Sequence, residues 1–85
     1  MVTIIVEQRF LMPPSEDEED GKAKEIDTYL MKFGGRRLCT YYSLDGMRMI
    51  SEFEAPDVEA VHTSYALANS NCDCIWLALV KRDLP

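Results

Sequence analysis

The sequence is short of positive charge, of histidine and of long apolar runs. Nine Lys and Arg stand against fifteen Asp and Glu in 85 residues, a formal net charge of −6. Binding to a phosphate backbone rests on cationic contacts, so this balance argues against DNA or RNA as partner. The longest apolar run, residues 74–80, is far too short to span a bilayer, and no membrane partner is expected. No basic-then-apolar leader precedes Val2, which points away from export and towards a cytoplasmic protein. The three cysteines, Cys39, Cys72 and Cys74, are an odd number, and that suits reduced thiols better than a disulfide framework. With His62 as the one histidine, no nucleophile–base–acid set can be assembled. No Gly-rich loop opens a helix to cradle a phosphate. An enzyme is accordingly the less favoured class, and no catalytic residue is assigned.

What is present is an ordinary globular composition, 47% hydrophobic and 28% charged, in a chain long enough for one domain, residues 1–85. Residues 2–9 alternate with period two and are rich in β-branched side chains, which predicts a strand that stops before Pro13 and Pro14. Ser15 with Glu18 three residues on fits a capping box, and Ala23, Ile26, Leu30 and Phe33 follow at helical spacing. The spacing predicts a helix over 16–33 that ends at Gly34 and Gly35. Residues 36–43 and 47–54 read as two strands joined by the hairpin signal Leu44-Asp45-Gly46. Asp57 then caps a second helix whose buried stripe is Val58, Val61, Tyr65 and Ala68. A last strand over 74–80 is nearly all apolar.

The order strand, helix, strand, strand, helix, strand predicts an α+β, ferredoxin-like βαββαβ sandwich: a four-stranded antiparallel sheet with both helices on one face. Right-handed crossovers and the apolar composition of 74–80 lead to the expectation that the first and last strands lie in the middle. The helix-facing set is then Val2, Ile4, Val6, Met49, Phe53, Ile75, Leu77 and Leu79. The opposite face carries Ile5, Tyr41, Ile50, Trp76 and Val80, too apolar a patch for most monomers to leave wet. A second copy packed sheet to sheet, as an isologous homodimer with a space between the sheets, is the simplest cover.

Within that face sit Glu7, Arg9, Arg48 and Glu52. Two readings of these charges stay open. One is a cross-strand charge ladder near the end of the sheet, worth about 0.2–1 kcal/mol per pair. The other is a small-ligand pocket between the sheets, lined by Glu7, Arg9, Arg48 and Glu52 with Tyr41 and Trp76 as walls. His62 falls next to the buried Val61 and reads as half-exposed, with a structural role or, given partners, a metal-binding one. Cys72-Asp73-Cys74 points two thiols the same way if extended, a weak soft-metal signal against the wider Cys-x-x-Cys spacing of most metal and redox sites. Four-stranded sheets of this topology also stack RNA bases, but residues 47–53 lack the basic, aromatic-rich motif this requires.

The stretches Val6-Glu7-Gln8-Arg9-Phe10, Ser43-Leu44-Asp45-Gly46, the run from Phe53 through Ala55-Pro56-Asp57 to Val61, and Asp73-Cys74-Ile75-Trp76 together resemble a family of small bacterial domains of unknown function. Some members of that family are named nickel-binding proteins. The resemblance spans nearly the whole chain, and it implies a ferredoxin-like fold and a dimer. For nickel it implies Glu7 and His62 as the matching positions. Three expectations follow. The first is a homodimer that binds a small ligand between its sheets. The second is a transition-metal-binding protein using Glu7, His62, Cys72 and Cys74 in some combination. The third is a small enzyme of the dimeric α+β barrel type, in which Glu7 or Glu52 moves a proton.

Overall fold

The computed structural model of the protein describes residues 1–81, so the last four residues of the expected domain lie outside the described part. The elements follow the expected order: β1 (Val2–Arg9), α1 (Glu16–Lys32), β2 (Arg36–Tyr42), β3 (Arg48–Ala55), α2 (Val58–Leu67) and β4 (Cys74–Ala78). They form one four-stranded antiparallel sheet with both helices against one face, the ferredoxin-like sandwich.

Each helix begins where a side chain satisfies an orphan amide. Ser15 Oγ accepts the N–H of Glu18 at 3.2 Å, and Asp57 Oδ1 accepts that of Ala60 at 2.9 Å. Four acidic residues, Glu16 to Glu19, occupy the first turn of α1, where the helix dipole favours negative charge. Helix α1 ends in a Schellman motif: Gly34 N–H donates to Met31 O and Gly35 N–H to Leu30 O, each at 3.0 Å, with Gly34 at φ +83°. Gly35 is also required by space. A Cβ there would lie 2.7 Å from Leu30 Cδ1 and 3.1 Å from the Ala55 methyl. The glycine pair thus turns the chain and keeps the narrow space between Leu30 of α1 and Ala55 of β3 clear.

The core lies between the helices and the two central strands. Ile4 and Val6 of β1 and Phe53 and Ala55 of β3 pack against Ile26 and Leu30 of α1 and Ala60, Val61, Tyr65 and Ala68 of α2. Phe53 and Tyr65 meet edge to face, with ring centroids 5.9 Å apart. Gln8 is buried on the same side. Its amide donates to Asn71 O at 2.7 Å and Ser70 Oγ at 3.3 Å, tying β1 to the connection before β4.

The strand order β2-β3-β1-β4 corrects one expectation. The central strands are β1 and β3, and β4 is an edge. Each right-handed crossover skips one strand, so β1 to β2 spans β3 and β3 to β4 spans β1, leaving the two receiving strands outermost. The apolar run of β4 therefore does not reflect burial within this chain. Leu77 and Leu79, expected in the core, are 60% and 96% exposed, and Val2 is also exposed. The helix layer reaches Ile75 of β4, which packs against the core, but leaves Leu77 and Leu79 uncovered. The strand itself ends at Ala78, two residues before the expected boundary.

Candidate ligand-binding face

The sheet register fixes which side chains share the face without helices. Across β1 and β3, Ile5 faces Glu52, Glu7 faces Ile50 and Arg9 faces Arg48. Across β1 and β4, Ile5 faces Trp76 and Glu7 faces Cys74. On β2, Cys39 faces Glu52 and Tyr41 faces Ile50. All six expected ligand residues, Glu7, Arg9, Tyr41, Arg48, Glu52 and Trp76, thus lie on one face. Tyr41 is 58% and Trp76 45% exposed, while Ile5 and Ile50 between them are half-buried.

Glu7 organises the charged end. Trp76 donates its indole N–H to Glu7 Oε2 at 3.0 Å, and Arg48 Nη2 approaches Glu7 Oε1 at 3.9 Å. Arg9 and Arg48 stand directly opposite each other, a like-charge pair that is unfavourable without a counter-charge. Asp73 adds one from the β4 side, its Oδ2 accepting the Arg9 backbone N–H at 2.6 Å. Here Glu7, Arg9, Arg48, Ile50, Asp73 and Cys74 help line a recess of about 340 Å³. Glu52 does not join this group. It lies diagonal to Glu7, between Ile5 and Cys39, and makes no ion pair among the described residues.

The four expected metal positions fall into two pairs on opposite sides of the sheet. Glu7 and Cys74 are cross-strand neighbours on the open face. His62 and Cys72 share a recess of about 250 Å³ on the helix side with Tyr65, Ser70 and Asn71. Cys72 packs against the core, and burial, helped by the charge of Asp73, pushes its thiol up to about 11. A thiol held protonated is a poor ligand and nucleophile at neutral pH. Among the described residues, no group of three or more His, Cys, Asp or Glu gathers closely enough to hold a metal ion.

Two polar features were not anticipated. Arg37 lies on the helix side of β2. Its Nε binds both oxygens of Asp27 at 3.0 and 3.3 Å, its Nη1 donates to Thr40 Oγ1 at 3.0 Å and Ser51 Oγ at 2.9 Å, and its guanidinium lies 4.8 Å from the Phe53 ring centre. The second feature is Glu19 on α1, which accepts from the Tyr42 hydroxyl at 3.5 Å. Partial burial raises the Glu19 carboxyl above its ordinary range, against the pull of Arg37, and burial and the Glu19 charge raise Tyr42. This carboxyl lies between α1 and β2, away from the open face.

No helix among the described residues is long and apolar enough to cross a membrane. No family model matches the chain, and no curated protein does. Two solved structures are similar to it. The crystal structure of SCO4226 from Streptomyces coelicolor A3(2) superposes with a TM-score of 0.82 at 12% identity, over 94% of this chain and 99% of that one. The structured domain of Boca from Drosophila melanogaster superposes with a TM-score of 0.51 at 17% identity, over 93% of this chain and 99% of that one. At these identities the likeness shows the fold alone: the chain is built as a ferredoxin-like α+β sandwich.

Proposed function

We propose that the chain acts as a homodimer that closes its open sheet face against a second copy and binds a small organic anion at the charged end of that face. The observation that carries this reading is the bond from the Trp76 indole to Glu7, beside Arg48, on a face that also carries Ile5, Ile50 and Tyr41. Packed sheets stand about 10 Å apart, enough to dehydrate such a face while leaving a slot at its polar end. Arg9 makes no ion pair among the described residues, and Arg48 is held only loosely by Glu7. Two guanidinium groups facing each other suit a carboxylate or phosphate, and Trp76 and Ile50 suit an apolar body attached to it.

Sedimentation velocity and Trp76 fluorescence test both halves, since Trp76 is the single tryptophan. The unmodified chain is expected to sediment as a dimer or larger, and Ile50→Lys, with a charge at the centre of the face, to lose that contact. Benzoate and phenyl phosphate are expected to change the Trp76 emission saturably, with affinity falling about tenfold or more in Arg48→Ala. A single sedimenting chain at high concentration, with the indole fully quenched by iodide, overturns the dimer. Equal titration of Arg48→Ala and the unmodified chain overturns the anion site.

A further inference from the structure

The two edges of the sheet are built differently. Proteins usually blunt sheet edges with charge, proline or a bulge, because an exposed ladder invites another strand. At one edge β2 begins with Arg36 and Arg37 and carries a register shift at Leu38. At the other, β4 keeps an unbroken register with β1, and residues 74–80 contain no charge and no proline. A sheet-to-sheet dimer covers Trp76 on the open side. It leaves Leu77, on the helix side, and Leu79, just past the strand, in water.

The ladder shows which backbone groups that edge offers. Phe10 N–H donates to Met47 O at 2.8 Å, in line with the β1–β3 register. Even-numbered residues of β1 therefore address β3, and the odd-numbered ones address β4. Thr3, Ile5 and Glu7 engage Ala78, Trp76 and Cys74. The amide and carbonyl groups of Ile75 and Leu77 then point outward, and among the described residues no strand meets them.

We infer that β4 pairs antiparallel with β4 of a second copy, in the register that sets Leu77 opposite itself. Charge selects this register. Asp73 and Lys81 bracket the apolar run at equal distance from Leu77, so both ends bring one copy's carboxylate beside the other's ammonium. Moving the axis by one residue sets Asp73 against Leu79 or Lys81 against Ile75. In the chosen register Ile75 faces Leu79 on the helix side and Trp76 faces Ala78 on the open side, so the exposed leucines become cross-strand partners. The strand lengthens beyond Ala78 as the new ladder supplies hydrogen-bond partners. The two-fold axis of this contact is perpendicular to the sheet, whereas that of the face contact runs parallel to it. The two contacts use separate surfaces, and separate variants address them.

Cysteine capture in the full chain tests the pairing. Leu77→Cys places two thiols across the axis at roughly the 5.5 Å Cα spacing of facing residues, within disulfide reach. Leu79→Cys places them roughly 14 Å apart along the strands. Mild oxidation is expected to capture Leu77→Cys as linked dimers well above the unmodified chain, and Leu79→Cys no more than the unmodified chain. Ile50→Lys added to Leu77→Cys is expected to leave the capture in place. Equal capture of the two cysteine variants, or none above the unmodified chain, overturns the inference. For the register, Lys81→Glu is expected to weaken the edge contact by about tenfold, because two attractive pairs become repulsive, while Lys81→Arg leaves it unchanged. Equal association of these two variants overturns the register.

Discussion

Trp76 and Glu7 do not face each other across the β1–β4 ladder, yet the indole N–H of one reaches the carboxylate of the other at 3.0 Å. Glu7 faces Cys74, a small side chain, and Trp76 faces Ile5. With the small Cys74 opposite Glu7, the indole leans along the strand and places its one donor on the Glu7 carboxylate. The same carboxylate is the nearest counter-charge to Arg48, which stands opposite Arg9.

Glu7→Ala removes an acceptor and a counter-charge together. It leaves the indole donor to water and the two facing arginines with Asp73 as their remaining counter-charge in that recess. The Glu7 side chain is about one-third exposed, so solvent moderates the loss. The expected cost is about 1 kcal/mol, read as a lower urea midpoint at unchanged slope, with a shift in Trp76 emission. Glu7→Gln keeps an acceptor for the indole and is expected to retain the emission while losing part of the stability.

Arg37 is the most demanding polar group beneath α1. Its side chain is 15% exposed and its fork is shared among Asp27, Thr40 and Ser51. Arg37→Ala strands Ser51, which is fully buried, and removes the cation over Phe53. Because Asp27 keeps contact with solvent, the expected loss is about 2–3 kcal/mol, below that of a fully buried pair. Arg37→Lys supplies charge but not the fork, and is expected to recover less than half of it. Equilibrium urea unfolding of the three chains checks both statements.

Arg37 also marks where the sequence stops being legible. Strict alternation along β2 puts Arg37 on the same face as Cys39 and Tyr41. The register shift between Arg37 and Cys39 inserts one residue, so Arg37 pairs with the core residue Phe53 while Cys39 and Tyr41 stay on the open face. No local residue pattern announces that insertion. The fold and the open-face set followed from periodicity, because period two and period 3.6 are written in the side chains themselves, and both caps followed from the local capping residues Ser15 and Asp57. The edge position of β4 did not follow, since an apolar strand reads alike whether it is buried by its own chain or offered to another. The separation of Cys72 from Cys74 was missed for a related reason. Cys72 precedes the strand and packs against the core, while Cys74 lies within the strand on the open face.

Asn69 holds the second helix end. It is the one non-glycine residue at positive φ, 54°, among the described residues. It sits in a second Schellman motif: Asn69 N–H donates to Ala66 O at 3.0 Å and Ser70 N–H to Tyr65 O at 2.9 Å. The turn delivers Ser70 and Asn71 to the Gln8 amide, so it also fixes where β4 begins. Asn69→Gly is expected to raise stability by a few tenths of a kcal/mol, and Asn69→Ala to lower it by about 1 kcal/mol, because a Cβ disfavours the left-handed region. Thermal unfolding of the pair, with opposite shifts in midpoint, checks the sign.

Cys72 couples stability to alkaline pH. Its folded-state value lies near 11, raised from 9.0 chiefly by burial and then by the charge of Asp73. Between these values the unfolded chain has released the thiol proton and the folded chain has kept it. Folding therefore binds a proton, and stability must fall as pH rises. The contribution is fully present below about pH 9 and is lost on passing through about pH 11. Tyr65, whose hydroxyl is raised by burial from its ordinary 10.0, acts in the same direction from about pH 10 upward. Cys72→Ala removes the thiol term, so its urea midpoint is expected to fall less than that of the unmodified chain between pH 9 and pH 11. Alkylation gives an independent reading. At pH 8 iodoacetamide is expected to label Cys74, which lines the recess at the charged end of the sheet, well ahead of Cys72. The Cys72 rate then climbs about tenfold per pH unit until the thiol ionises. Equal labelling of the two thiols at pH 8 would show that Cys72 is not held against the core.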